Sequence, residues 1–226
     1  LSKADDENYE IIEGYFTADE LGVEESPCKI WHKNGVVHRD DDEPAIKVFS
    51  PETGELVLEE WWNNGQRHRD NAPARIRDGF TRKNFGSYEE WWDHGRLHRT
   101  DGPALLSMDE NGRVEEEHWC IYGNLHRVGA PALIAIDHKF DVVYMEGWCI
   151  YGKHHRLDGP ASILREDTGI VREEEWYKDG KLHREGGPAK ILRHWKTGKT
   201  VKESYFRDGV KVAEDHSFPQ RPEPNY

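Results

Sequence analysis

Large apolar side chains are sparse along this chain, and their order repeats. An aromatic residue, Trp in six copies, is followed by Gly four positions on, then by a His-Arg pair and a Pro-Ala pair, in the pattern W-x-x-x-G-x-x-H-R-x-x-x-P-A. The copies run Trp31 to Ala45, Trp61 to Ala74, Trp91 to Ala104, Trp119 to Ala132, Trp148 to Ala161 and Trp176 to Ala189. Their histidines, His38, His68, His98, His126, His155 and His183, are spaced by 30, 30, 28, 29 and 28 residues. A fixed period of this size is the signature of a repeat architecture. A seventh copy, Tyr205 to Val212, keeps Gly209 and has lost the His-Arg pair, as a terminal capping unit does.

The repeated Gly follows Asn34, Asn64, Asp179 and Asp208 in four copies. Asn-Gly and Asp-Gly signal a two-residue β-hairpin turn, because both residues tolerate positive φ. A turn at Asp179-Gly180 sets Lys178 against Lys181, Tyr177 against Leu182, Trp176 against His183 and Glu175 against Arg184. The same arithmetic opposes Trp and His in every copy, and opposes Glu60 to Arg69 and Glu90 to Arg99. Between copies, Thr53-Gly54, Asn111-Gly112, Thr168-Gly169 and Thr197-Gly198 mark a second reversal, after a strand that begins at Pro-Ala. The Pro fits a bend before that strand, since it cannot donate a ladder hydrogen bond. The loop from His38 to Pro44 is one residue longer than its counterparts and reads as a bulge or looser turn.

The expected fold is therefore all-β: an antiparallel meander of repeated hairpins, an elongated single-layer sheet with about two strands per repeat. Strands stand about 4.8 Å apart, which places equivalent residues of successive repeats roughly 10 Å apart. The six Trp would form one buried row and the six His-Arg pairs another. Residues 1–29 read as an acidic N-terminal cap, residues 30–212 as the repeat domain and residues 213–226 as a Pro-rich tail. Thr17-Ala-Asp-Glu20 resembles a helix capping box, so a short helix or an extra strand is expected over the first edge.

Composition sharpens this picture. Only 35% of residues are hydrophobic and 33% are charged, a balance close to that of disordered chains. Nine Trp, nine Tyr and seven Phe supply the large buried areas that disordered chains lack, so a thin folded sheet is expected. The net charge of −13 opposes direct nucleic-acid binding and anionic membranes, and it favours a basic protein partner. No stretch approaches the roughly 20 apolar residues of a membrane-spanning helix.

The His-Arg row is the most tempting chemistry. Catalysis needs one residue in one tuned environment, whereas these recur six times, so the primary reading is structural: His packs on the facing Trp and Arg pairs with a carboxylate. The sharper reading makes Arg69, Arg99, Arg127, Arg156 and Arg184 candidate anion- or acidic-peptide-binding positions. Equivalent histidines about 10 Å apart cannot share a zinc ion, so no metal and no cofactor are expected; His94-His98 and His154-His155 remain as local pairs. Cys120 and Cys149, in equivalent positions, should also lie too far apart for a disulfide. Three cysteines with no evident pairing fit a reducing compartment.

The stretch Glu175-Trp-Tyr-Lys-Asp-Gly-Lys-Leu-His183 resembles the core of the MORN-type repeat. The His-Arg-x-x-Gly-Pro-Ala extension, as in His155 to Ala161, resembles a variant found in bacteriophage and large-virus proteins. The resemblance implies a β-meander sheet, a scaffold or partner-binding role and a viral origin. The expected function is accordingly a non-catalytic protein-binding or structural scaffold in the host cytoplasm or the virion, with self-association through exposed strand edges. The alternative is an inhibitor or sponge that blocks a host defence protein or sequesters a nucleotide signal through its His-Arg positions.

Overall fold

The computed structural model describes residues 8–18, 23–77 and 86–212. Among them every regular element is a β-strand. The chain divides into two compact units, Leu1–Asn124 and Leu125–Tyr226.

In the first unit the strands Glu10–Ala18, Val23–Lys33, Ile46–Phe49, Leu56–Glu60, Arg75–Arg77, Ser87–Glu90, Leu105–Met108 and Val114–His118 lie side by side in chain order, all antiparallel. In the second, Leu133–Asp137, Val142–Gly147, Ser162–Arg165, Val171–Glu175, Lys190–Arg193, Thr200–Arg207 and Val210–Val212 do the same. Each is an open meander in which a repeat supplies one strand before its Trp and one after its Pro-Ala. The inter-repeat reversals sit where the glycines predict them: Gly54, Gly112, Gly169 and Gly198 all have positive φ. The first edge is covered by the strand alternative, with Thr17 and Ala18 inside Glu10–Ala18; Asp19 and Glu20 lie outside the described residues, as does the Pro-rich tail.

The hairpin from Trp to His does not continue this meander. Trp61 donates its N–H to the Ala74 carbonyl at 2.8 Å, while its own carbonyl accepts from His68 N–H at 3.0 Å, so the chain forks away from the sheet at Trp. The hairpin register is the one the turn dictates, Tyr177 opposite Leu182 and Lys178 opposite Lys181. The ladder stops one rung later. Glu60 pairs with Ile46 and Arg75, Glu90 with Arg75 and Leu105, and Glu175 with Ser162 and Lys190. The expected Glu60–Arg69, Glu90–Arg99 and Glu175–Arg184 pairs are therefore not made. In the later repeats the short strands form separate two-stranded ribbons, such as Trp62–Asn63 with Gln66–Arg67, whereas in the first Val36–Val37 pairs with the end of Val23–Lys33.

The hairpins also add apolar contacts to the sheet. Val37 and Trp62, on the inner sides of the first two hairpins, pack on a cluster of Cys28, Ile46, Val48, Val57 and Leu58. A sheet of short strands with few aliphatic residues thus gains apolar contact from these two hairpins, at about 25 cal/mol per Å² of apolar surface removed from water. The deepest repeated position is the Ala of Pro-Ala: Ala45, Ala74, Ala104, Ala132, Ala161 and Ala189 have no exposed surface. Each donates its N–H to the next main strand at 2.7–2.9 Å, and in five copies its carbonyl accepts from its own Trp N–H. With no exposed surface at this residue, a larger side chain would have to displace its neighbours.

Candidate functional site

The turn geometry comes first because it aims everything else. All seven hairpins carry two successive positive-φ residues, and in three of them the first is not Asn or Asp but His94, Tyr122 or Tyr151, at φ 44–46°. A bulky L-residue in this region is strained by roughly 1 kcal/mol or more. The compensation is ring packing on the histidine of the preceding hairpin: His98 with Tyr122 and His126 with Tyr151, stacked at 4.2 Å between centroids, and His68 with His94, tilted at 4.1 Å.

The repeated histidine fastens one hairpin to the next. Nδ1 of His38, His68, His98, His126, His155 and His183 accepts the backbone N–H of residue 64, 94, 122, 151, 179 and 208 respectively, at 3.1–3.4 Å. The following Gly N–H donates to the carbonyl of the residue before that histidine, as Gly95 does to Arg67 at 2.9 Å and Gly180 to His154 at 2.9 Å. These bonds need an unprotonated Nδ1 in all six copies.

Arginine takes the place expected for histidine. The guanidinium lies over its own repeat's Trp ring, 3.8 Å from the centroid in Arg69–Trp61, Arg99–Trp91, Arg156–Trp148 and Arg184–Trp176, and 4.3 Å in Arg39–Trp31. It also donates from Nη1 to the Pro carbonyl of its own loop, at 3.1–3.4 Å, in all six copies, Arg127 included. The reading of His on Trp is thus corrected: once the hairpin leaves the sheet plane, the cross-strand neighbour of Trp is no longer its packing neighbour. The Arg-carboxylate half holds in several copies, with Asp42 for Arg69, Asp101 for Arg99 and Asp158 for Arg156. A Cβ at Gly102 or Gly159 would stand 2.6 or 2.7 Å from the Arg Cζ, a flexible end that can shift: Arg69 keeps its place over Trp61 with Ala72 at the same position. Trp31 and Trp61 are buried, while Trp91, Trp119, Trp148 and Trp176 are only partly so.

The position after Trp faces the sheet, and its chemistry matches the residue two before it. Trp62 donates to Glu60 and Trp92 to Glu90, both at 2.8 Å, and Tyr177 donates to Glu175 at 3.0 Å. Where that position is Cys120 or Cys149, the acid is replaced by His118 or Gly147. In the first unit the two acids anchor a buried network. Glu60, 1% exposed, takes Arg67 at 2.9 Å and Arg75 at 3.0 Å, and Arg75 reaches Glu90 at 3.4 Å. Burial beside it pushes the Tyr88 hydroxyl up to about 12. All three cysteines are buried thiols outside any disulfide, and burial raises the thiols of Cys28 and Cys149. At the first hairpin Lys33, Tyr9 and His38 all bond the Asp40 carboxylate, holding it well below the usual carboxylate range, with Lys33 the strongest cause.

Of the candidate local pair His94–His98, His94 makes a contact between repeats, with His68, Asp93 and His94 brought together. His154 packs at a tilt against Tyr177, 5.1 Å between centroids, whereas His155 Nδ1 accepts the Asp179 backbone N–H, so that pair divides between two environments.

Compared with family models, with curated proteins and with solved structures, the chain matches none of them.

Proposed function

We propose that this protein is a non-catalytic, MORN-like repeat scaffold that binds a protein partner, acting in a host cytoplasm or a virion. The observation that carries this reading is the division of labour within the repeat. Its constant side chains, Trp, His, Arg and Ala, are spent on holding hairpins to themselves and to one another. Several of the positions that vary between repeats are presented outward: Tyr151 at a turn, 65% exposed, and Val128 and Leu157 after the His-Arg pairs, 78% and 77% exposed. Isolated apolar residues on rigid turns suit contact with a protein surface, and the net charge of −13 favours a basic one. The guanidinium groups of Arg69, Arg99, Arg156 and Arg184 are already engaged by Trp rings and Pro carbonyls, which argues against a nucleotide sponge.

The test is a pull-down from host-cell lysate with the full chain and with a double variant, Tyr151→Asn with Leu157→Asp. Asn suits the positive φ at residue 151, as Asn34 and Asn64 do in sister turns. A stoichiometric protein captured by the native chain and lost with the variant supports the scaffold. Capture of no stoichiometric protein, or turnover of a substrate by the purified chain, overturns it.

A further inference from the structure

One junction between hairpins differs from the others. At the tip of the third hairpin His94 stands where its counterparts are Asn64, Tyr122, Tyr151, Asp179 and Asp208, and Asp93 precedes it. Asp93 Oδ1 lies 2.6 Å from His94 Nδ1 and 3.2 Å from His68 Nδ1, and one ligand atom from each of the three residues lies within 4.8 Å of the other two. The positive φ of His94 lays its ring over His68, 4.1 Å between centroids.

We propose that His68, Asp93 and His94 form a binding site for a divalent transition-metal ion of the Zn²⁺ class, bridging the second and third hairpins. Two imidazoles and a carboxylate suit borderline ions such as Zn²⁺ and Ni²⁺, and not Mg²⁺, which prefers oxygen ligands. Ligand atoms about 2.0–2.1 Å from a tetrahedral zinc stand roughly 3.3 Å apart, so the 3.2 Å pair is in place and the 2.6 Å pair must open by less than about 1 Å. His68 Nδ1 is also the least committed of its kind. Its bond to the next backbone N–H is 3.4 Å against 3.1–3.2 Å at the other five junctions. A lone pair facing a carboxylate oxygen is repulsive until a proton or a cation stands between them. On the far side of the ring, the Asp70 carboxylate stands 3.4 Å from Nε2, the place of the carboxylate that orients a ligating histidine. The neighbouring cleft of about 410 Å³, lined by His68, Asp70, Trp91 and Asp93, leaves room for water in the remaining coordination position. The junctions at Asp179 and Asp208 offer one carboxylate to one histidine, 3.0 Å in each, and no second imidazole.

The experiment titrates tag-free, full-length protein with ZnCl₂ by isothermal calorimetry at pH 7.5, with MgCl₂ in parallel. His94→Tyr installs the residue of two sister turns and keeps the stack; Asp93→Asn removes the carboxylate charge. The expected result is one site per chain with a Kd of about micromolar or tighter, weakened at least about tenfold in each variant, and no response to Mg²⁺. Unchanged thermal midpoints of the metal-free variants would show that the loss is of ligands and not of fold. Absence of saturable heat up to about 1 mM Zn²⁺, or stoichiometric binding that both variants retain, overturns the proposal.

Discussion

If the repeated histidine is a fastener between hairpins, replacing it should cost what one hydrogen bond and one stack are worth, and the two should be separable. His98 is the best place to measure this. Its Nδ1 accepts Tyr122 N–H at 3.2 Å, and its ring lies nearly parallel to Tyr122, 14° between planes at 4.2 Å. His98→Phe keeps a ring and loses the acceptor, so it should destabilise by about 1 kcal/mol, toward the lower half of the hydrogen-bond range because the freed N–H can reach water. His98→Ala also loses the stack, worth about another 0.5–1.5 kcal/mol, for a total near 2 kcal/mol. Urea unfolding gives the stabilities, and amide hydrogen exchange at Tyr122 reports the bond itself, which matters because repeat arrays open locally. The reasoning fails if the Tyr122 amide exchanges at the unprotected rate in the native chain. It fails equally if His98→Phe leaves both stability and that amide's protection unchanged.

Glu60→Ala should cost about 2–3 kcal/mol, since it takes the nearer carboxylate from Arg67 and Arg75 and leaves them only Glu90; an unfolding midpoint within error of native would refute the network's weight. Burial lowers the pKa of His154 below its ordinary 6.5, with Glu175 pulling the other way. The unfolded chain then takes up this proton more readily than the folded one, so stability is full above pH 6.5 and declines as pH falls from there toward the depressed folded value. His154→Leu, the residue at Leu97, Leu125 and Leu182, should show a smaller drop in urea midpoint between pH 8 and pH 5.5 than the native chain. Gly159→Ala should change stability by less than about 0.5 kcal/mol in chemical denaturation, because the atom it meets ends a flexible Arg, and Ala72 and Ala130 already occupy that place elsewhere. Gly86→Ala should cost at least about 2 kcal/mol in the same assay, since its Cβ would fall 1.8 Å from the Met108 carbonyl oxygen, which is backbone.

What the sequence reveals here is what local chemistry decides. Positive φ at residue pairs such as Asp179-Gly180 fixes the turn, the turn fixes Tyr177 opposite Leu182, and the second glycine series returns the chain. Register beyond Trp was not legible, because the fork at that residue depends on whether Ala or His takes its backbone bonds, and both do. The exchange of roles between His and Arg follows from that fork. The alanine row is visible in the repeat, but its complete burial is not, since that arises from strands about 14–16 residues away. The His68–Asp93–His94 cluster was hidden for the same reason: its members meet across the junction between repeats, 25 and 26 positions apart. One clue was available, the mismatch of His94 with the Asn, Asp and Tyr of its counterparts.

The fastening by histidine has a direction. Each hairpin offers its turn N–H groups backward and its imidazole forward, so the repeat behaves as a monomer with a donor head and an acceptor tail. The first hairpin presents Asn34-Gly35 as a head like any other, but at the last one Lys211 and Val212 replace the Leu-His of Leu182-His183, and no imidazole is offered. In the language of polymers the final unit is a chain stopper: a hairpin arriving at that end, from this chain or another copy, finds no histidine acceptor.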